Sequence, residues 1–233
     1  MAAQRCSVCN GHDYRRTNVL WPELIQQWQL SPHEVDYVNR QQGESCVSCG
    51  SNLRSLVLAD ALQVAFRTDQ PLIEFLARPA VAAFRVLELN EAGTLHPVLA
   101  RMPGHVFGAY PEVDMNALPY EEASFDVVIH SDTLEHVPNP IHALTECRRV
   151  LRPGGMLCYT VPIIVGRMTR SREGLPRSFH GNASVDPEDY LVRTEYGADA
   201  WTQIILAGFS DVHLFTREFP AAIAIAAVKT NGF

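Results

Sequence analysis

Four of the six cysteines stand in two pairs, Cys6-Ser-Val-Cys9 and Cys46-Val-Ser-Cys49, the second followed at once by Gly50. Two thiols separated by two residues reach one metal ion through a tight turn, and two such knuckles supply the four sulfur ligands of a tetrahedral zinc site. A closed four-thiolate sphere has no open position for water or substrate, so zinc on Cys6, Cys9, Cys46 and Cys49 is expected to be structural. A lone redox pair would leave the second pair unexplained, and disulfides are disfavoured in a reducing compartment. The other group of chemistry-bearing residues lies between Asp114 and Pro162, where a polar run leaves an apolar one at Ser131-Asp132. In open α/β sheets that exit is where ligands gather, which predicts a small-molecule site there.

The elements that must position these residues follow from periodicity. The apolar runs FDVVIH (Phe125 to His130) and MLCYTV (Met156 to Val161) flank helical spacing at Ile141, Leu144, Cys147, Val150 and Leu151, which stops at Pro153-Gly154-Gly155. This predicts a right-handed strand, helix, strand unit of a buried parallel sheet. A helical turn through SDTLEHV would set Asp132 with His136, and Ser131 with Glu135, on one face. Thirty-six residues separate Cys9 from Cys46, so the insert must be structured in its own right. Pro22 and Pro32 suit first helical turns and Ser31 suits an N-cap, predicting two short helices with Trp21, Leu24, Trp28 and Val35 inward. After Cys49, LRSLVLADALQVAF reads as an amphipathic helix and PLIEFLARP as a shorter one. A first strand at Phe84 to Leu89, a helix at Leu95 to Arg101 and a strand at His105 to Tyr110 come next. A long insertion, Ile163 to Gly197, precedes a helix near Ala198 to Ala207, a strand at Val212 to Phe215 and a final apolar strand.

With 233 residues, 47% apolar and 19% charged, the chain describes a folded protein with one substantial core and a small appendage. No run of about 18 uncharged apolar residues exists, so no membrane partner is expected. The N-terminus lacks a secretory apolar region, and the cytoplasm is the expected location. A net charge of −7 argues against extended nucleic-acid contact. The arginines Arg167, Arg170, Arg172 and Arg177 read first as a solvated loop and second as a phosphate site.

The order Asp114, LPY, SFDVVIHSDTLEHV and RRVLRPGG resembles the C-terminal half of the class I S-adenosylmethionine (SAM) dependent methyltransferases with LPF, FD and LEHV signatures, over roughly Phe84 to Val228. Together with the cysteine pairs and the helix signals between them, the resemblance implies an α/β fold, a Rossmann-like methyltransferase sheet abbreviated after its second strand, with a small N-terminal zinc-knuckle and helical module. It divides the chain into a zinc module (1–52), connecting helices (53–80) and a methyltransferase domain (81–233), with an acceptor-site insertion at about 163–197. It implies SAM as cofactor. In similar enzymes an acid and a glycine-rich loop follow the first strand; here the stretch is Glu88-Leu89-Asn90-Glu91-Ala92-Gly93-Thr94, with Gly93 kept and Asn90, Ala92 and Thr94 at glycine positions. Where an acid binds the ribose the chain has Gly108-Ala109-Tyr110-Pro111-Glu112, and Tyr110 is the expected contact. Asp114 matches the acid that pairs with the adenine amino group, with Met115 and Leu118 beside the base. His130 and Ser131 are expected next to the methionine or sulfonium part.

Methyl transfer from a sulfonium needs donor and nucleophile aligned, and a hydroxyl or amine acceptor needs a base for its proton. His136 and His180 are the candidates, although a capping role in the LEHV turn competes for His136 and a structural role for Glu135. Phe179, His180, Tyr190, Arg193 and Tyr196 are candidate acceptor contacts. The expected activity is SAM-dependent O- or N-methylation of a small-molecule or sugar-containing (glycan-type) acceptor, in a chain compatible with homo-oligomer formation. The alternative is a methyltransferase-like binding or scaffold protein that has lost catalysis, its zinc module recognising a protein or RNA partner. Methylation of tRNA or rRNA gains from the zinc pairs and loses from the acidic charge.

Overall fold

The computed structural model describes residues 5–179 and 188–230. The N-terminal part runs through β1 (Tyr14–Arg16), α1 (Pro22–Gln27), α2 (Pro32–Gly43) and β2 (Glu44–Cys46), followed by α3 (Leu53–Ala65) and α4 (Leu72–Leu76). The main sheet is built from β3 (Val86–Leu89), then α5 (His96–Leu99), β4 (His105–Gly108), β5 (Phe125–Ser131), α6 (Pro140–Val150) and β6 (Leu151–Thr160). The insertion contributes β7 (Ile163–Ile164), β8 (Arg170–Ser171) and β9 (Thr194–Gly197), and the chain closes with α7 (Thr202–Leu206), β10 (Asp211–Arg217) and β11 (Ala222–Val228).

The sheet order is β10-β11-β6-β5-β3-β4, with β4, β3, β5 and β6 parallel and the closing pair antiparallel. This is a Rossmann-like α/β sheet whose parallel edge ends at β4. The chain adds β4 on one side of β3 and β5 on the other, so the topological switch point lies between β3 and β5. Buried strands of this kind read as continuous apolar runs because helices cover both faces. Val127 and Ile129 face α3 in one core, while Val128 faces Leu144 and Cys147 of α6 in the other. The Cys147 and Cys158 thiols are wholly buried, which raises their pKa and keeps them protonated.

Several local expectations change in three dimensions. Helix α3 is not amphipathic: Leu53 to Ala59 are all buried, because β11, β10, β6 and α2 surround it. Trp21 is 46% exposed rather than inward, while Leu24, Trp28 and Tyr37 supply the inner face. Ser31 does cap α2, accepting from the Glu34 N–H while the Glu34 carboxylate accepts from the Ser31 N–H. The LEHV turn is a single 3-10 turn, Leu134–His136, too short to align Asp132 with His136.

The insertion and the N-terminal helices are tied together by Arg167. Its guanidinium donates to Glu34 at 2.9 Å and to the carbonyls of Trp28 and Gln29 at 2.8 and 2.9 Å. That bond from Arg167 holds the Glu34 carboxyl down at about 2. A carboxyl lowered on folding stabilises above its ordinary range and stops doing so as the pH falls toward the folded value. Acidification from about pH 5 toward pH 2 is therefore expected to loosen α1 and α2 from the insertion. Hydrogen exchange in Trp28 to Leu30 checks this, and Arg167→Leu should show the same loosening already at neutral pH. Unchanged protection in that variant would remove Arg167 from this role.

Candidate functional site

The two cysteine knuckles repeat one backbone pattern. Cys6 N–H donates to the Gly11 carbonyl and Asn10 N–H to the Cys6 carbonyl; Cys46 N–H donates to the Ser51 carbonyl and Gly50 N–H to the Cys46 carbonyl, all at 2.9 Å. The residue after the second thiol must turn left-handed, and the two that do so are Asn10 (φ 68) and Gly50 (φ 77). Asparagine and glycine are the residue types that enter this region at least cost. The turns bring the sulfurs of Cys9 and Cys6 to 3.6 Å, Cys6 and Cys49 to 3.7 Å, and Cys9 and Cys46 to 3.7 Å. A tetrahedral metal with sulfur ligands at about 2.3 Å has edges of about 3.8 Å, which these three separations match, and all four sulfurs lie within 4.8 Å of one another, a set suited to zinc.

A second cluster has different geometry. The Glu88 carboxylate, wholly buried at the end of β3, accepts from His105 Nε2 at 2.7 Å, His96 Nδ1 at 2.9 Å and the Ala92 N–H at 2.7 Å. Metal ligands at about 2.0 Å would stand about 3.3 Å apart in a tetrahedron. The shorter spacings are those of hydrogen bonds. Burial alone would raise the Glu88 carboxyl, but the bonds from His105, Ala92 and His96 outweigh it and hold the group below the usual range. Glu88 thus anchors the loop after β3 through the Ala92 N–H, a role its position at the strand end does not reveal in sequence.

That loop starts with Asn90 in the left-handed region (φ 55), where similar enzymes have glycine, and Gly93 repeats the conformation (φ 56). Asn90 donates its N–H to the Gly108 carbonyl at 2.9 Å, and its side-chain oxygen accepts from the Tyr110 N–H at 3.0 Å. Parallel register sets Leu89 beside Gly108 and His130, so Asn90, Tyr110 and Ser131 leave the sheet side by side at the switch point. Residues of the N-terminal part flank the same loop. Thr94 Oγ1 donates to Ser51 Oγ at 3.1 Å, and a Cβ on Gly93 would lie 3.5 Å from Ser55 Oγ.

The remaining candidates separate. Asp114 Oδ1 accepts from the Asn116 N–H at 2.8 Å, closing a tight turn. Met115 and Leu118 are buried in the core on the α6 side, and the Leu118 N–H donates to Glu146 at 3.0 Å. Ser131 Oγ meets Thr160 Oγ1 at 2.8 Å. His130 is fully buried and stacked on Tyr159, 4.7 Å between centroids, and burial lowers its pKa to about 3, so the ring stays neutral. His136 Nδ1 donates to the Leu191 carbonyl at 3.1 Å, which joins the LEHV turn to the insertion. Arg193 Nε donates to the His136 carbonyl at 3.1 Å, Tyr196 donates to Gln203, and Tyr190 lies edge-on to His136. The arginines of the insertion are largely engaged by its own acids: Arg170 and Arg172 pair with Glu195, and Arg177 pairs with Glu188. His180 lies outside the described residues.

One site residue carried no expectation. Arg54 of α3 is 3% exposed, and its guanidinium pairs with Asp132 at the exit of β5 and donates to Gln41 at 2.7 Å. The signal was a single cation inside the apolar run LRSLVLADAL. Burial lowers its pKa to about 10, still well above neutrality.

Against known proteins, residues 97–159 match a family model described as a methyltransferase domain. A "probable S-adenosylmethionine-dependent methyltransferase" of Mycolicibacterium smegmatis is 40% identical over 63 residues, covering 25% of this chain and 24% of that protein. The ubiquinone biosynthesis O-methyltransferase of Maricaulis maris is 48% identical over 42 residues, 18% of this chain and 16% of the relative. A SAM-dependent methyltransferase structure from Mesorhizobium loti overlays 68% of this chain and 96% of its own at 15% identity, with a TM-score of 0.39. The chain thus spans about a quarter or less of these two sequence relatives, and the family-model match runs from α5 through β6.

Proposed function

We propose that this chain is a SAM-dependent methyltransferase acting on a small molecule, with a structural zinc ion held by Cys6, Cys9, Cys46 and Cys49. The observation that carries the reading is the position of the methyltransferase-domain match: it ends on β5, α6 and β6, at the switch point where Asn90, Tyr110 and Ser131 emerge together. Bound there, SAM supplies an electrophilic methyl group on a sulfonium. The left-handed turns at Asn90 and Gly93 draw the backbone aside for the methionine part, Tyr110 is 54% exposed beside them, and Asp114 stands next along the chain for the adenine side. His136 Nδ1 donates to the Leu191 carbonyl, and its Nε2 lies 3.7 Å from Glu135 Oε1. His136 is the described candidate for receiving an acceptor proton, with His180 the second candidate. O-methylation is favoured by the relative whose name specifies an O-methyltransferase.

Calorimetry with SAM and S-adenosylhomocysteine tests this. We expect saturable binding with one equivalent, and Asn90→Val, which forces a β-branched residue into the left-handed region, should weaken it at least tenfold. Absence of heat and of any thermal shift at millimolar cofactor would sink the reading and leave a binding or scaffold role for the fold.

A further inference from the structure

A cavity lies between the N-terminal helices and the turn that follows β6. Its walls include Trp21, Leu24, Trp28, Val38 and Ile163, and Arg54 lines it too. Among these walls Arg54 has an incomplete set of partners. Of its five N–H groups, those on Nη1 and Nη2 are taken by Asp132, by Gln41 and, with the Gln42 amide turned to face it, by the Gln42 oxygen. The N–H on Nε is buried and has no partner. A buried donor without an acceptor is costly, and in a cavity lined by indole and aliphatic groups it marks where a ligand oxygen belongs.

The charge balance selects the ligand class. Arg54 already pairs with Asp132 and also lies within electrostatic reach of the buried Glu135, so a further anion would leave an uncompensated negative charge in a largely apolar cavity. A neutral oxygen satisfies the Nε donor without that penalty. The two tryptophans favour a flat ring system over a flexible chain. Asp132 follows directly on Ser131, so the Arg54 end of the cavity lies toward the carboxyl ends of the sheet, where the methyl donor is read.

We infer that this cavity is the acceptor site and that it takes an uncharged aromatic molecule whose hydroxyl or carbonyl oxygen accepts from Arg54. The assignment of the bound molecule as methyl acceptor rests on the methyltransferase reading; its binding does not. The test is calorimetry of the full chain with 2-naphthol, 2-naphthoate and naphthalene as probes. We expect 2-naphthol to bind at one equivalent and both other probes to bind at least tenfold more weakly, one lacking the oxygen and the other adding a charge. Val38→Phe, at a half-buried wall position, should weaken 2-naphthol at least tenfold and leave S-adenosylhomocysteine binding unchanged. Equal affinity for naphthalene or naphthoate, no binding of 2-naphthol, or insensitivity to Val38→Phe each overturns the assignment. Binding of 2-naphthol without SAM binding keeps the cavity and removes the methyl transfer. SAM binding without 2-naphthol does the reverse.

Discussion

Replacing Cys46 with serine is expected to empty the metal site and to destabilise the protein by more than about 4 kcal/mol, the range in which the loss of a structural metal falls. Structural zinc supplies on the order of 10–16 kcal/mol of binding free energy in isolated finger peptides, and that energy is folding energy wherever the site forms only in the folded chain. The knuckles carry little regular secondary structure of their own, although Cys6, Val8 and Cys46 are buried. Between them the main regular pairing is the three-residue ladder of β1 and β2, with Tyr14 opposite Cys46. Outside contacts meet the first loop and the residue before it: Leu72 and Ile73 N–H groups donate to the carbonyls of Ser7 and Val8 at 2.9 and 3.0 Å, Ser7 Oγ donates to the Leu56 carbonyl at 3.1 Å, and Arg217 donates to the Arg5 carbonyl at 3.1 Å. Loss of the metal should therefore spread into α3 and α4, and through α1 and α2 into the cavity. Metal analysis with thermal unfolding checks this, using Cys158→Ala as a control that loses core packing but keeps its metal. A Cys46→Ser protein that retains a full equivalent and the parental unfolding midpoint would defeat the zinc assignment.

Glu88→Leu is expected to cost about 3 kcal/mol, because it leaves the buried Ala92 N–H and two imidazole N–H groups without their acceptor. Glu88→Gln should cost less, since one amide oxygen still accepts, and it should also change the pH profile. The Glu88 carboxyl is held below its ordinary value in the folded chain. Its contribution is therefore complete above the usual carboxylate range and is lost as the pH falls through the folded value. Urea unfolding at neutral pH and near pH 4 should show the parental protein losing stability on acidification more steeply than Glu88→Gln. Parallel slopes would mean that the carboxylate is not the group that titrates. Because Glu88 holds the loop at Ala92, both variants should also weaken SAM, and Glu88→Leu more so.

Much of the fold was legible in the sequence. The parallel unit around α6 and the two closing strands are strong because buried strands and amphipathic helices leave periodic apolar patterns that no neighbour can reverse. The cysteine pairs are legible for a related reason: ligand spacing is set by a local turn, and Asn10 and Gly50 mark it. Legibility fails where a residue's role depends on what lies opposite. The helix α3 reads as amphipathic by composition, yet its first two turns, Leu53 to Ala59, are buried on every face. His130 stands at a strand exit suited to a ligand contact, but the alternation of β5 turns its ring onto Tyr159 in the α6 core. Asp132 and His136 were paired by helical spacing, whereas the chain makes only one 3-10 turn there and sends Asp132 to Arg54 and His136 to Leu191.

By itself the sequence determined the parallel strand, helix, strand unit, the four thiols and the segment that carries the methyltransferase likeness, since each depends on periodicity or on spacing within a few residues. Only the tertiary structure decided which charges meet: Glu88 with His96 and His105, Glu34 with Arg167, and Arg54 with Asp132. The physical reason is that such pairs join residues 8 to 133 positions apart across separate elements. Their energy depends on burial and on distances of about 3 Å, and neither is written into the order of the residues.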